Sequence, residues 1–186
     1  MLCALLKIEH QWIHIDILKG ESKTAAFLAK NSNGKIPLLE TPDGTCLAES
    51  NAILNYLASE SSLLPRDAMQ RAKVLQWQFF EQYSHEPFIA VARYINIYLS
   101  LPKARQQEYQ DLQAGGHKAL AVMEKQLLAT DFLVGNTLSI ADISLYGYTH
   151  VAEEGGFDLN QYPGILAWCK RIESMPGYIN MQDSEL

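Results

Sequence analysis

Glu49 and Ser50 are adjacent residues whose types and position are compatible with ligand-binding chemistry in this 186-residue sequence. They stand at the start of a helix predicted from Ser50 to about Glu60, and serine is a favoured N-cap residue. The free N–H groups and partial positive charge of a helix N-terminus suit a carboxylate. A glutamate beside them can hold an amino group by a charge-assisted bond. The same pattern also fits an ordinary helix cap next to a solvated glutamate.

Lys35, Ile36 and Pro37 form a second candidate group. They follow a predicted turn at Asn33-Gly34, and a strand is predicted from Ile36 to Glu40. Lys35 is either a cation that reaches a ligand carboxylate or a solvated loop lysine. Pro37, taken alone, fits an ordinary trans proline that enters an edge strand.

The elements that position both groups are predicted helices and strands in the first sixty residues. Trp12 to Lys19 alternates between apolar and polar residues, which is typical of a half-buried strand. Pro42-Asp43-Gly44 indicates a tight connection between two further strands. In order, the predicted elements are a helix over 2–8, a strand over Trp12–Lys19, a helix capped by Ser22 that ends at about Lys30, strands over Ile36–Glu40 and Thr45–Ala48, and the helix from Ser50.

The rest of the sequence is predicted to be helical, after a linker over Glu60–Asp67. A long helix is predicted from Asp67 to about Leu99, with a kink or break near Ser84–Glu86 because Pro87 lacks an N–H donor. The later predicted elements are a helix over about Lys103–Ala129 that is weakened at Gly115-Gly116, a helix begun by a Ser139–Asp142 capping box, and a helix over about Gly164–Ser174.

Composition and charge argue against several classes of protein. The net charge is −6 and the basic residues are scattered, so we expect no nucleic-acid partner. No apolar run approaches the roughly 20 residues of a membrane span, and the N-terminus lacks the features of a signal peptide. The three cysteines form no CxxC and the five histidines show no metal-ligand spacing. We therefore expect a cytoplasmic protein that has no metal site and no membrane partner.

Two segments of the sequence resemble the cytosolic glutathione transferase family, of the bacterial type. They are NGKIPLLETPDGTCLAESNAIL, from Asn33 to Leu54, and FLVGNTLSIADISLYGY, from Phe132 to Tyr148, with a weaker match in YPGILAW, from Tyr162. The resemblance covers most of the chain. It implies an α/β part followed by an all-α part, namely a thioredoxin-like glutathione-binding domain over residues 1–60 and an all-helical C-terminal domain over residues 67–186.

The resemblance also assigns roles to the candidate residues, with glutathione as the co-substrate. In the family, the proline that matches Pro37 follows a cis peptide bond. The backbone of Ile36 would then pair with the cysteinyl part of glutathione like an added strand. Ser50 would bind the γ-glutamyl carboxylate at the helix start. Glu49 would hold the γ-glutamyl amino group, and Lys35 is a candidate for the glycyl carboxylate.

The sequence departs from the family at the first strand and the turn after it, where the catalytic Tyr, Ser or Cys lies. It opens inside the segment that matches the first helix, so the thioredoxin-like domain is predicted to be incomplete and the catalytic residue is not identified. Cys3 is predicted to be a core residue. Three explanations fit the missing strand: a start upstream of Met1, which we favour, a natural truncation, or replacement of the strand by another segment or a swapped subunit. We expect this chain to have weak or no transferase activity.

The function implied by the resemblance is attack of the glutathione thiolate on an electrophile, by a homodimer. A cysteine at the missing turn would favour thiol transfer or disulfide reduction instead, and a non-catalytic binding or assembly module on the same fold is another alternative. Asp142 matches the family's helix-capping aspartate and is predicted to be structural. In the family, the long helix borders the active-site cleft and the dimer interface. The residues of this chain at those positions are Gln76, Phe80, Tyr83 and Arg93. Aromatic residues at this spacing are also typical of a core. A break at Pro87 would expose Tyr83, His85 and Glu86.

Overall fold

The computed structural model describes residues 1–180. A short α/β part is followed by a helical part, which confirms the predicted fold class. The regular elements are α1 (Leu2–Leu6), α2 (Ala25–Lys30), β1 (Leu38–Glu40), β2 (Cys46–Ala48), α3 (Ser50–Leu57), α4 (Ala68–Phe80), α5 (Glu86–Arg93), α6 (Gln106–Leu127), α7 (Ile140–Thr149) and α8 (Pro163–Glu173). Shorter 3₁₀ turns lie at Glu21–Lys23, Lys103–Arg105, Ala152–Gly155 and Leu159–Gln161, and π-helical turns at Glu81–His85 and Tyr94–Tyr98.

The two strands form an antiparallel hairpin. Leu38 pairs with Ala48 and Glu40 with Cys46, as the predicted connection requires, although each strand is shorter than predicted. The turn closes through a bond from Gly44 N to Thr41 O at 2.8 Å. Gly44 adopts a φ of 83° there, a left-handed conformation that favours glycine.

The predicted strand over Trp12–Lys19 is wrong. This segment has no strand structure, and the side chains of Trp12, Ile13 and Leu18 are 60%, 65% and 58% exposed. Asp16 instead closes a local turn by accepting from Leu18 N at 3.0 Å and Lys19 N at 3.1 Å. An alternating pattern becomes a strand only where a neighbouring strand pairs with it, and the described sheet contains only β1 and β2.

The predicted cap of the second helix is also displaced. Thr24, not Ser22, is the N-cap of α2, because its hydroxyl oxygen accepts from Phe27 N at 3.3 Å. Ser22 lies in the 3₁₀ turn that precedes the cap and is buried there.

The predicted long helix is divided by π-helical turns. The kink predicted from Pro87 takes the form of the π turn over Glu81–His85, directly before α5. Gly115 and Gly116, by contrast, lie inside a continuous α6. Each has an aromatic ring against it, Phe88 and Phe157 respectively, and an added Cβ would lie 2.2 Å from a ring carbon in both cases. The glycines therefore permit close packing of α6.

The core lies mostly in the helical part. Its large, fully buried side chains include Leu120, Met123, Ile140, Leu145 and Trp168. The predicted capping box at the start of α7 is confirmed. Asp142 has no exposed surface and accepts from Ser139 N at 2.9 Å, Ser139 Oγ at 2.9 Å, Leu133 N at 2.8 Å and Trp168 Nε1 at 3.0 Å. It thus joins a loop and α8 to the start of α7.

Over residues 1–180, no helix is both long and apolar enough to cross a membrane. Within the same range, no group of three or more His, Cys, Asp or Glu side chains is arranged to hold a metal ion.

Candidate functional site

The loop before β1 is held by hydrogen bonds to its backbone. Asn31 is buried, donates from Nδ2 to Lys35 O at 2.7 Å, and accepts from Asn33 N at 3.1 Å. Lys23 Nζ donates to Gly34 O at 2.7 Å. Gly34 has a φ of 62°, and an added Cβ would lie 2.6 Å from Lys23 Nζ and 2.9 Å from Ser22 O. A larger residue at position 34 would therefore disturb the loop.

The peptide bond between Ile36 and Pro37 is cis, as predicted. Ile36 is 47% exposed, and its backbone N–H and C=O make no hydrogen bond to any residue in the described part of the chain. Unpaired backbone groups on an exposed edge can accept an extended peptide as an additional strand. The local backbone is therefore suited to a peptide-like ligand.

Glu49 occupies the N-cap of α3, and Ser50 is the first helical residue. The prediction of Ser50 as the N-cap is therefore wrong by one position. Glu49 O accepts from Ile53 N at 3.0 Å, which leaves the N–H groups of Ser50, Asn51 and Ala52 without helical partners. The side chains of Glu49 and Ser50 make no hydrogen bond within the described residues.

Glu49 has a φ of 69° and a ψ of 115°. A residue with a side chain rarely adopts such a conformation, which costs about 1–3 kcal/mol and is found often at ligand-binding sites. The positive φ thus marks the junction between β2 and α3 as a candidate site on a criterion independent of the sequence motif.

The hairpin brings the two candidate groups to the same end of the sheet. Leu38 pairs with Ala48, so Pro37, which precedes Leu38, and Glu49, which follows Ala48, leave the sheet side by side. The free backbone edge at Ile36 is therefore close to the N-terminus of α3. Such an arrangement can hold a peptide backbone and a carboxylate of one ligand at the same time.

Lys35 is exposed in the loop before β1. Burial raises the pKa of Glu86, the first residue of α5, and the positive charge of Lys35 opposes this effect. Burial also raises the pKa of Tyr148 on α7, and the negative charge of Glu86 adds to it. Lys35 is thus a cation near the candidate site, and its charge acts on the acidic group at the start of α5.

The other long-helix residues are distributed between surface and core. Tyr83 is 86% exposed, whereas His85 is fully buried and donates or accepts at Thr149 Oγ1, 2.9 Å from its Nε2. The expected exposure of His85 is therefore wrong, because the π turn directs it inward. Arg93 Nε pairs with Glu154 Oε2 at 2.6 Å. Gln76 is exposed and Phe80 is half-buried.

Sequence reasoning missed a polar cluster behind the N-terminus of α3, which is centred on the buried side chains of Gln78 and Glu81. Asn51 Nδ2 donates to Gln78 O at 3.4 Å and to Glu81 Oε2 at 3.2 Å. Asn55 Nδ2 donates to Gln78 Oε1 at 2.8 Å, and Gln82 Nε2 donates to Glu81 Oε2 at 2.6 Å. The signal in the sequence is the polar positions at i and i+4 on one face of α3, which meet polar positions on the predicted long helix.

Comparisons with known proteins identify the family of this chain. The sequence model of the glutathione S-transferase N-terminal domain family matches residues 1–60, and that of the glutathione S-transferase C-terminal domain family matches residues 77–176. A crystal structure of glutathione S-transferase from Pseudomonas fluorescens Pf-5 is 60% identical, with a TM-score of 0.96, and the match covers 98% of this chain and 90% of that one.

Two more distant proteins are informative about the range of relatives. The disulfide-bond oxidoreductase YfcG of Escherichia coli K12 is 29% identical over 177 residues, which is 91% of this chain and 81% of that protein. A glutathione transferase from Burkholderia graminis with two glutathione molecules bound per subunit is 22% identical, with a TM-score of 0.82. That match covers 95% of this chain and 78% of the other, and it shows a common fold.

The fold and the matched domains assign this chain to a class of two-part proteins with a thioredoxin-like first part and a helical second part. The chain belongs to the glutathione transferase family.

Proposed function

We propose that this protein binds glutathione at the junction of the cis-proline loop and α3 and positions it for attack of its thiol sulfur on an electrophile, so that the whole glutathione molecule is joined to the product. The observation that carries the proposal is the register of the hairpin, in which Leu38 opposite Ala48 sets the free Ile36 edge beside the N-terminus of α3. The glutathione found in the related Burkholderia graminis structure supports this choice of ligand.

Each candidate residue has one role in the proposed complex. The backbone of Ile36, turned by the cis bond to Pro37, pairs with the cysteinyl residue of glutathione. The free N–H groups at Ser50 bind the γ-glutamyl carboxylate, and the unpaired Glu49 carboxylate binds the γ-glutamyl amino group. Lys35 pairs with the glycyl carboxylate. These five residues bind and orient glutathione.

The proposed reaction begins with loss of the glutathione thiol proton to solvent, which leaves a thiolate as the nucleophile. The sulfur then forms a bond to an electrophilic carbon, and the leaving group departs with its electron pair. None of the five binding residues stabilises the thiolate, so that role belongs to a group outside this set. The helical wall near Glu86 and Tyr148 would border the electrophile.

Disulfide reduction is the second candidate reaction, favoured by the similarity over 91% of this chain to a disulfide-bond oxidoreductase. In that reaction the glutathione thiolate attacks a disulfide sulfur, and the other sulfur leaves as a thiolate. The chain's own Cys169 is a poor participant because burial raises the pKa of its thiol to about 12. A reductase assay on a glutathione mixed disulfide, run beside the conjugation assay, separates the two reactions.

A homodimeric assembly in the cytoplasm, with domain limits at 1–60 and 67–186, completes the proposal. Two aromatic side chains, Phe79 at the end of α4 and Tyr83 in the π turn that follows it, are 70% and 86% exposed. They lie one turn apart and support a contact surface there. Sedimentation analysis should give twice the 20.9 kDa chain mass, and Phe79→Ser with Tyr83→Ser should shift it to the monomer. A monomeric wild-type chain would rule out the dimer.

Isothermal titration of glutathione into the purified chain tests the binding site. The double variant Glu49→Ala/Ser50→Ala should abolish measurable binding because it removes the amino-group partner and alters the first residue of α3. The matched control is Glu9→Ala/Ser59→Ala, which removes an exposed glutamate and an exposed serine elsewhere. Equal binding by both double variants would refute the site, and a folded wild-type chain without binding would indicate a non-catalytic module.

A further inference from the structure

Glu81 is a buried carboxyl group at the point where the helical part meets the first turn of α3. The residue is 3% exposed, and its Oε2 accepts from Asn51 Nδ2 and Gln82 Nε2. Asn51 is the second residue of α3, directly after Ser50. The contact therefore reaches the helix end that offers free N–H groups to a ligand.

No cation compensates this carboxyl group in the described part of the chain. Burial raises the pKa of Glu81 to about 7, hydrogen bonds from Gln82 and Asn51 oppose the rise, and the charge of Glu86 adds to it. Tyr148, on α7, also interacts with Glu81, and it carries no positive charge.

His85 does not supply a counter-charge either. It lies on the same π turn, and burial lowers its pKa to about 3, so its imidazole is neutral near neutral pH. The cluster also contains a buried acceptor, Asn51 Oδ1, that has no partner among the described residues. A proton on Glu81 adds a donor to this cluster, and its loss adds an uncompensated negative charge.

We propose that Glu81 is a positioning residue for the glutathione site, which acts through the Asn51 carboxamide to fix the first turn of α3 against the helical part. The inference rests on the proposed binding of glutathione at that helix end. A displaced Asn51 moves the N–H groups that hold the γ-glutamyl carboxylate. An ionised Glu81 also places negative charge beneath a site for an anion, which opposes binding.

The first arm of the test measures binding of S-methylglutathione, a probe whose sulfur does not titrate, by calorimetry between pH 6 and pH 8.5. Asn51→Ala should weaken binding about tenfold, the equivalent of roughly one hydrogen bond. Asn55→Ala is the matched control, because Asn55 also bonds to Gln78 from the same helix but does not contact Glu81. Its affinity should stay within about twofold of the wild type.

The pH profile distinguishes positioning from simple packing. The wild-type affinity should fall several-fold as the pH rises through about 7, where Glu81 loses its proton. Glu81→Gln keeps the side-chain shape and an acceptor oxygen but cannot ionise. The affinity of this variant for S-methylglutathione should therefore vary less than that of the wild type between pH 6 and pH 8.5. A wild-type slope in Glu81→Gln, or equal weakening in Asn51→Ala and Asn55→Ala, would overturn the inference.

The second arm uses hydrogen exchange of the ligand-free chain, so that a failure of the proposed function can be told apart from a failure of this inference. The reporter is the Ile53 amide, which donates to Glu49 O at 3.0 Å and closes the first turn of α3. Its protection should fall about tenfold more in Asn51→Ala than in Asn55→Ala. Equal protection in the two variants would overturn the inference even in a chain that binds no glutathione.

Discussion

Replacing Asp142 by alanine removes a buried acceptor on which three N–H donors depend. Leu133 N, Ser139 N and Trp168 Nε1 lie 2.8–3.0 Å from its carboxylate oxygens. A buried donor that loses its partner costs about 1–3 kcal/mol. After partial relaxation and entry of water, we expect Asp142→Ala to lower the free energy of unfolding by about 3–6 kcal/mol, a large share of the roughly 5–15 kcal/mol typical of a native domain.

Urea unfolding followed by far-ultraviolet circular dichroism at pH 7 measures this loss. The matched control is Asp67→Ala, which removes an exposed N-cap side chain that accepts from Gln70 N at 2.9 Å and should cost about 1 kcal/mol. Asp142→Asn keeps the side-chain shape but turns one acceptor into a donor, so it should cost about 1–3 kcal/mol and remains measurable if the alanine variant does not fold. Similar losses in Asp142→Ala and Asp67→Ala would refute the argument from shared donors.

Three further predictions concern packing and protonation. Gly116→Ala should destabilise the chain by about 1–3 kcal/mol because the added Cβ meets the Phe157 ring. The control is Gly147→Ala, whose Cβ has nothing within 4 Å and which should stabilise the chain by about 0.5–1 kcal/mol. Thermal unfolding should therefore give opposite shifts of the unfolding temperature for the two variants. Burial lowers the pKa of His85 to about 3, so its stabilising effect is complete above pH 6.5 and is lost as the pH falls, and His85→Gln should flatten that loss in urea titrations between pH 7 and pH 5. Glu81, whose pKa is raised to about 7, stabilises the fold less as the pH rises from about 4.5 to 7, so Glu81→Gln should steepen the acid loss; an unchanged pH profile in either variant would contradict the assignment.

The fold was predictable where the sequence signal is local. The Ser139–Asp142 capping box spans four residues, and the hairpin turn at Pro42-Asp43-Gly44 sets its own register. Both appear in the structure as predicted. The Trp12–Lys19 strand was not predictable in this way, because a strand depends on a partner elsewhere in the chain. The alternation in that segment carries no information about whether a partner is present.

The candidate binding residues were predictable from the sequence, but the contacts that hold them against the helical part were not. The cis bond before Pro37 and the helix start at Glu49–Ser50 follow from a motif in one contiguous segment. The contact between Asn51 and Glu81 joins residues thirty positions apart, and the polar spacing along α3 does not identify which residue of the long helix it meets. The inward direction of His85 depends on the π turn, whose register cannot be read from the presence of Pro87 alone.

The candidate site depends on the helical part for its rigidity. Within the first sixty residues the buried hydrophobic side chains are Leu2, Phe27 and Ala58, too few to offset the entropy of ordering that part alone. The helix α3 packs against α7 and is bonded to α4, and Leu63 O accepts from Ile140 N at 2.9 Å at the start of α7. Since the Asp142 cap fixes the same helix start, substitutions there should weaken glutathione binding through local opening of α3 before they unfold the whole chain. Glutathione, by the same coupling, should raise the unfolding temperature of the entire chain and not only that of the hairpin.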